Sequence, residues 1–415
     1  MRRGLPARIL AGLVAGSVLG TAAHLLAADS AGVEAFVRFV TEPIGRIFLR
    51  LLFMLVIPLV VSGLALGVAG VGDVGRLGRI GARTLAYTVV VSSIAVLIGV
   101  GLVNLLRPGE GLSPAVRERL AATQATVPAG GSVAPSATDF FVQLIPSNVV
   151  KAMVDGDMLA LMVFAVLLGV GIGLSRTPAT RRFEEALQGL YDVVMQLLDL
   201  VIRAAPVAVA CLLFTLTARL GWDVLRQLAG YVAVVLLGLA LQQFVVYSIS
   251  VSWLGRMRPQ VFFRGIRTAM LTAFSTASSN ATLPTSLRVA EEELRLPPDV
   301  SRFVLTVGAT ANQNGTALFE GVTVLFLAQF YGVALTLGQQ LTVVLVCILG
   351  GIGTAGVPAG SIPVVAMILG MVGVPAEGIG MILGVDRLLD MCRTTLNVTG
   401  DLAAAVVVAR GERRT

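Results

Sequence analysis

The chain has 415 residues, a formal net charge of +7 and a mean hydropathy of +0.88, with 56% hydrophobic and 13% charged residues. Soluble proteins carry about 25% charged residues, so the composition argues against a water-soluble globular enzyme. The basic excess reads as membrane topology and not as a nucleic-acid partner.

A bilayer crossing needs about 20 mostly apolar residues. Ile9–Ala28, Leu51–Gly72, Thr84–Leu106, Met158–Ser175 and Gln227–Leu254 each lack a formal charge and predict spans. Ala204–Ala218 is a shorter clean stretch, read as extending back towards Leu190 with Asp192, Asp199 and Arg203 on a polar face. Ile9–Ala28 is too long for a signal-peptide core and lacks a convincing cleavage context, so it is taken as the first span. Arginines set the orientation. Those at 2, 3, 8, 76, 79, 83, 176, 181, 182, 256, 258, 264, 267, 410, 413 and 414 fall on one side if the spans alternate. Both termini are therefore expected in the cytoplasm. Pro108–Asn148, rich in Ala, Gly, Ser, Thr and Pro over Ala121–Ala137, reads as a flexible external loop.

Beyond residue 255 the pattern changes. Phe262–Ala290 is interrupted by the polar run Ser275–Asn280, and Gly338–Leu369 by Gly350–Pro358. Polar backbone at membrane depth is tolerated only where protein or a water-filled cavity covers it. Paired broken segments point to a transporter binding site, so both are read as re-entrant helical hairpins. Each precedes a span with polar groups at its middle. Phe303–Gln329 carries Asn312, Gln313, Asn314, Gly315, Thr316 and Glu320. Ile379–Ala409 carries Asp386, Asp390, Arg393, Asn397 and Asp401.

The last span is the most informative. Its five polar residues recur at intervals of four, three, four and four, which lines one helix face. Charges at this depth are functional candidates by default. Arg393 can grip a carboxylate with two parallel hydrogen bonds. Asp390 can neutralise an ammonium, and Asn397 can meet a second carboxylate. Together they fit an amino acid with an acidic side chain. The alternative is an Asp390–Arg393 pair that only cancels charge. Asn312, Asn314, Thr316 and Asp401 offer oxygen ligands for a hard cation such as Na⁺. Gly308 and Gly315 are expected to let the helix unwind and expose carbonyls. Glu320, a lone carboxyl in an apolar span, is a candidate proton carrier, the alternative being a hydrogen-bonded structural acid.

Cys211, Cys347 and Cys392 have no metal or CxxC spacing, and His24 is the only histidine, so zinc, disulfide and histidine-based nucleophile chemistry are disfavoured. No cofactor is expected beyond coupling ions.

At these residues the chain resembles the dicarboxylate/amino acid:cation symporter family, which includes archaeal aspartate, bacterial glutamate/aspartate and mammalian glutamate transporters. The similarity runs from Ile44–Leu66 to Ala409. It is most specific at Ser278–Pro284, Gly308–Leu318, Gly353–Pro358 and Asp386–Asp401, the last reading DRLLDMCRTTLNVTGD. The resemblance implies an all-α polytopic membrane protein with eight transmembrane helices, two re-entrant hairpins and inverted repeats. It further implies a homotrimer in a bacterial or archaeal plasma membrane, working as an elevator. The implied division is residues 1–106 for the first three spans, 107–150 for the external loop and 151–255 for spans four to six. Hairpin one follows at 256–298, span seven at 299–334, hairpin two at 335–374, and span eight with its tail at 375–415.

By position, the resemblance assigns Arg393 to the substrate's side-chain carboxylate and Asp390 to its amino group. Asn397, Thr316 and Ser279 would hold the main-chain carboxylate, with Thr394 nearby and Val357 in the outer gate. One sodium site would use carbonyls of Gly308, Asn312 and Asn397 with the Asp401 side chain. A second would use carbonyls of Thr310, Gly351, Ile352 and Thr354. The family's usual Asn-Met-Asp-Gly-Thr is Asn-Gln-Asn-Gly-Thr here, so the aspartate of a third sodium site is Asn314. Its companion tyrosine and threonine are replaced by Thr88 and Val91, with Ser92 retained. Glu320 matches the proton-carrying glutamate of the mammalian branch. The expected function is symport of glutamate or aspartate with H⁺, Na⁺ or both. Alternatives are a C4-dicarboxylate or neutral amino acid carrier and, in other classes, an ion channel or an intramembrane enzyme.

Overall fold

The computed structural model describes residues 5–27, 30–69, 76–110, 145–155, 158–175, 177–221, 223–353 and 361–412. Among them every regular element is helical. That is the outcome a bilayer demands of a single chain, because a helix satisfies its own backbone groups. Large apolar side chains stand outward, with Leu26 87% and Trp253 80% exposed, while polar side chains such as Asn314 and Thr399 are buried. The core is apolar as well, and the extent of outward-facing apolar surface is what departs from a soluble protein.

Helix α1 (Leu5–Ala27) lies along a later helix, Ala205–Leu220. Glycine permits that contact: a Cβ on Gly12 or Gly16 would collide with the carbonyl oxygens of Pro206 and Ala210, and one on Gly20 with the Thr217 hydroxyl. Small residues four apart let two membrane helices approach backbone to backbone. After α2 (Ala31–Phe36) and a π turn at Val37–Thr41 come α3 (Glu42–Met54) and α4 (Val56–Ala69). The expected span Leu51–Gly72 is thus divided at Leu55, because Pro58 has no N–H to return to Met54. Helix α5 (Arg76–Leu106) has 31 residues, about 46 Å at 1.5 Å per residue.

Next come α6 (Val149–Asp155), α7 (Met158–Leu174), α8 (Pro178–Ile202) and α9 (Ala205–Leu220). The expected extension of Ala204–Ala218 back towards Leu190 is corrected. The helix stops at Ile202, turns at Arg203–Ala204 and restarts with Pro206 in its first turn, a position where proline's missing N–H costs nothing. The external loop falls largely on residues 111–144, outside the described residues.

Helix α10 (Asp223–Leu241) passes through a π turn, Gln242–Val246, into α11 (Tyr247–Trp253). The wide turn buries Gln242 and Gln243, whose amides donate to Val91 O (3.3 Å) and Thr399 Oγ1 (3.0 Å).

Helices α12 (Pro259–Thr276) and α13 (Ser279–Arg288) fold back on each other about Ala277–Ser278, inside the polar run that predicted the break. Ala277 takes a left-handed φ of +48°, a strained conformation for a residue with a Cβ. Ser278 caps α13, accepting from Ala281 N at 3.2 Å. Helices α14 (Pro298–Ala311) and α15 (Asn314–Tyr331) are two halves of one polar-centred segment. Helices α16 (Leu337–Gly353) and α17 (Ser361–Met371) flank residues outside the described set, and α18 (Ile379–Glu412) runs unbroken for 34 residues. Helices α14, α15, α12, α10 and α9 all contact α18, so the last helix stands at the centre of the carboxyl-terminal half.

Candidate functional site

The polar face of α18 is buried along its length, as its spacing predicts: Asp386, Asp390, Arg393, Asn397 and Asp401 are each at most 7% exposed. Arg393 is the hub. Its Nη1 donates to Ser361 Oγ at 2.7 Å, and its Nη2 to Asp386 Oδ1 at 2.9 Å and Asp390 Oδ1 at 3.0 Å. The guanidinium carbon lies 3.8 Å from the centroid of the Phe319 ring, a cation–π contact strengthened by exclusion of water. Nε is buried and makes no hydrogen bond. The Asp390–Arg393 pair is therefore real, but the second carboxylate, the serine and the ring hold the guanidinium in a defined plane. Asp390 Oδ2 also lies 3.5 Å from Arg387 Nη1.

One turn on, Asn397 Oδ1 accepts from Gly315 N at 2.7 Å, and its Nδ2 donates to Gln313 Oε1 at 2.5 Å and Thr316 Oγ1 at 3.2 Å. Asn312 Nδ2 donates to Asp401 Oδ1 at 2.8 Å, while Asn312 Oδ1 is buried without a hydrogen-bond partner. The crossing of α14–α15 over α18 thus joins Arg393, Asn397, Thr316, Asn312 and Asp401.

The glycines do not act as expected. The helix opens at Asn312–Gln313, and Gly308 and Gly315 lie on its helical flanks. They permit close approach: a Cβ on Gly308 would stand 2.6 Å from Asp401 Oδ1, and one on Gly315 2.9 Å from Arg393 O. The break is instead held by hydrogen bonds, with Gln313 N donating to Gly351 O at 3.0 Å. That bond ties one expected cation carbonyl to the crossing. The Gly308 carbonyl accepts from Asn312 N at 2.9 Å. Thr310 is in α14 and Ile352 in α16. Thr354 and Val357 lie outside the described residues.

Ser279 opens α13, which packs against α18; its hydroxyl is buried with no hydrogen-bond partner. Thr394 is buried on α18. Glu320 is fully buried and neither carboxyl oxygen has a hydrogen-bond partner. The backbone of Gly350 in α16 crosses so close that a Cβ there would stand 2.9 Å from Oε2.

At the expected third cation position, Asn314 Oδ1 accepts from Ser92 Oγ at 2.5 Å and Nδ2 donates to Tyr247 OH at 3.0 Å. Thr88 and Val91 are buried. The neutral amide is engaged at both ends by protein groups.

Sequence reasoning missed Ser361, Phe319 and Tyr247. Ser361 had a signal: it opens α17 as Ser279 opens α13. Phe319 and Tyr247 had none, being aromatic residues in apolar runs.

A helical hairpin, the helices α16 and α17, a broken helix and an unbroken helix converge on buried, oriented charge, which is the build of a membrane carrier for a charged solute. A family model described as the sodium:dicarboxylate symporter family matches residues 5–411. The chain is 35% identical to the proton/sodium-glutamate symport protein of Bacillus subtilis (strain 168), covering 99% of this chain and 93% of that protein. It is also 35% identical to the proton/glutamate-aspartate symporter of Escherichia coli (strain K12), covering 98% and 92%. It is 30% identical to excitatory amino acid transporter 3 of Bos taurus, covering 97% and 85%. The chain belongs to the sodium:dicarboxylate symporter family, whose members are membrane transporters.

Proposed function

We propose that this protein is a secondary active symporter that takes up glutamate or aspartate with cations. The observation that carries the reading is Arg393: a buried guanidinium, fixed by Asp386, Asp390, Ser361 and Phe319, with Nε unengaged. Such a group receives a carboxylate in a fixed plane. Asp390 receives the ammonium, and Asn397, Thr316 and Ser279 the main-chain carboxylate, with Thr394 beside them. The names of the bacterial relatives agree with this reading. Transport proceeds by an elevator movement of the hairpins with α14, α15 and α18. The assembly is a homotrimer with eight spans and two hairpins per protomer, arranged as inverted repeats, in a bacterial or archaeal plasma membrane with cytoplasmic termini.

Asp390 separates this reading from a C4-dicarboxylate carrier, which the family description also accommodates. Asp390→Asn keeps an oxygen for Arg393 and removes the charge that an ammonium needs. Losing one partner of a buried charge pair costs about 2–5 kcal/mol, so aspartate binding weakens roughly 30-fold or more. Succinate binding stays within about threefold, since succinate has no ammonium to lose a partner. Equal losses for both ligands, measured by calorimetry on purified protein, would reject the amino acid reading.

Coupling uses H⁺ at Glu320 together with Na⁺ at Asp401 and Asn312. The buried, unpartnered Asn312 Oδ1 beside Asp401 supports a cation there. The Asn314 position works without a cation, because its amide is already satisfied by Ser92 and Tyr247. Asn314→Asp adds a buried charge and withdraws the donor to Tyr247. Uptake by this variant becomes more steeply dependent on Na⁺ than wild type, read as the Na⁺ concentration giving half-maximal uptake and the Hill slope. A sodium response superimposable on wild type would count against it.

A further inference from the structure

Gln313 sits where three elements meet. It is 2% exposed, and its backbone (φ −96°, ψ 58°) is the non-helical link between α14 and α15. Its N–H donates to Gly351 O of α16 at 3.0 Å, and its carbonyl accepts from Ala317 N at 3.0 Å. Its side-chain Nε2 donates to Ala309 O at 2.9 Å, and its Oε1 accepts from Asn397 Nδ2 at 2.5 Å.

An amide NH₂ has two hydrogens. Those of Asn397 are both engaged, one by Gln313 Oε1 and the other by Thr316 Oγ1. The Asn397 carbonyl is engaged by Gly315 N. A ligand carboxylate that takes a hydrogen from Asn397 must therefore displace a protein acceptor already in place. Thr316 is the longer contact and is itself assigned to the ligand carboxylate, which leaves the shorter contact, Gln313, as the competitor.

We propose that Gln313 is a positioning residue that holds Asn397 and competes with the substrate's main-chain carboxylate for it, so that it sets substrate affinity. The inference rests on the assignment of Asn397 to that carboxylate. Its consequence has an unusual sign. Deleting the Gln313 acceptor leaves the Asn397 amide with an unsatisfied hydrogen whenever no substrate takes its place, and an unsatisfied buried donor is costly. Substrate relieves that cost, so it binds more tightly. Strengthening the acceptor does the opposite.

The test compares aspartate binding by wild type, Gln313→Met and Gln313→Glu, each purified and reconstituted, at saturating Na⁺ and neutral pH. Met has nearly the length of Gln and a weak acceptor. Glu keeps the acceptor, adds charge to it and repels the ligand. Both variants lose the donor to Ala309 O, so that loss cancels between them. Gln313→Met binds aspartate about tenfold more tightly than wild type, and Gln313→Glu about tenfold or more weakly. In transport, Gln313→Met lowers KM without raising kcat. A residue that only braces the helix break would weaken binding in both variants, and that result overturns the proposal. So does a gain in Gln313→Met seen only at low cation concentration, which would place the effect on cation binding. Failure of wild type itself to bind an acidic amino acid would instead remove the functional reading beneath it.

Discussion

Replacing Arg393 with alanine weakens aspartate and glutamate binding by roughly a hundredfold or more, since a buried charge-paired contact is worth about 2–5 kcal/mol or above. It leaves uptake of a small neutral amino acid comparatively unaffected, because that substrate needs only the ammonium and main-chain carboxylate partners. The substitution has a second effect. Arg393 faces both Asp386 and Asp390, and Asp390 also lies near Arg387. Removing one member of a buried charge cluster is destabilising by about 3–5 kcal/mol, because the remaining charge is uncompensated. Arg393→Ala therefore lowers Tm as well. The double variant Asp386→Asn/Arg393→Ala recovers much of the Tm and none of the acidic-substrate binding. Thermal shift and calorimetry on the same samples separate the two effects. Recovery of aspartate binding in the double variant would show that Arg393 matters through stability alone.

The α18 face was readable because its signal is local: five polar residues at helical spacing in an apolar segment have one geometric interpretation. The break of the first hairpin was readable for the same reason, since the polar run Ser275–Asn280 contains the observed turn at Ala277–Ser278. What failed depended on partners distant in sequence. Gly308 and Gly315 read as places to unwind, because glycine loosens a helix. They serve close approach to Asp401 and Arg393, which no local pattern announces. The opening at Asn312–Gln313 is stabilised by Gly351 and Asn397. The helix restarts at Val56 and Ala205 were legible in principle from Pro58 and Pro206, but hydropathy windows pass over proline. Likewise, Gly12, Gly16 and Gly20 show the four-residue spacing of a close helix pair, yet their partner, α9, is distant in sequence.

Glu320→Gln is expected to uncouple uptake from the proton gradient while sparing substrate exchange, for reasons of charge balance. Asp386 and Asp390 are balanced by Arg387 and Arg393, Asp401 carries a negative charge when ionised, and the bound amino acid adds a second. Moving uncompensated charge through a low-dielectric region is costly, so the loaded carrier must hold cations. On the coupling proposed above, Glu320 holds one of them. It is one turn along α15 from Thr316 and next in sequence to Phe319, which stacks on Arg393. Both its oxygens are buried and without hydrogen-bond partners, and Gly350 leaves room beside Oε2 that a side chain would fill. A proton carried there enters with the substrate, so uptake by wild type falls as external pH rises. The amide introduced by Glu320→Gln is permanently neutral. In proteoliposomes of this variant, an imposed pH gradient alone no longer drives accumulation and the pH dependence of uptake flattens. Exchange of internal for external aspartate continues at a rate within about threefold of wild type, because the substrate contacts are untouched. Wild type that accumulates aspartate fully on a sodium gradient alone, at every pH and indistinguishably from the variant, would exclude Glu320 as a proton carrier.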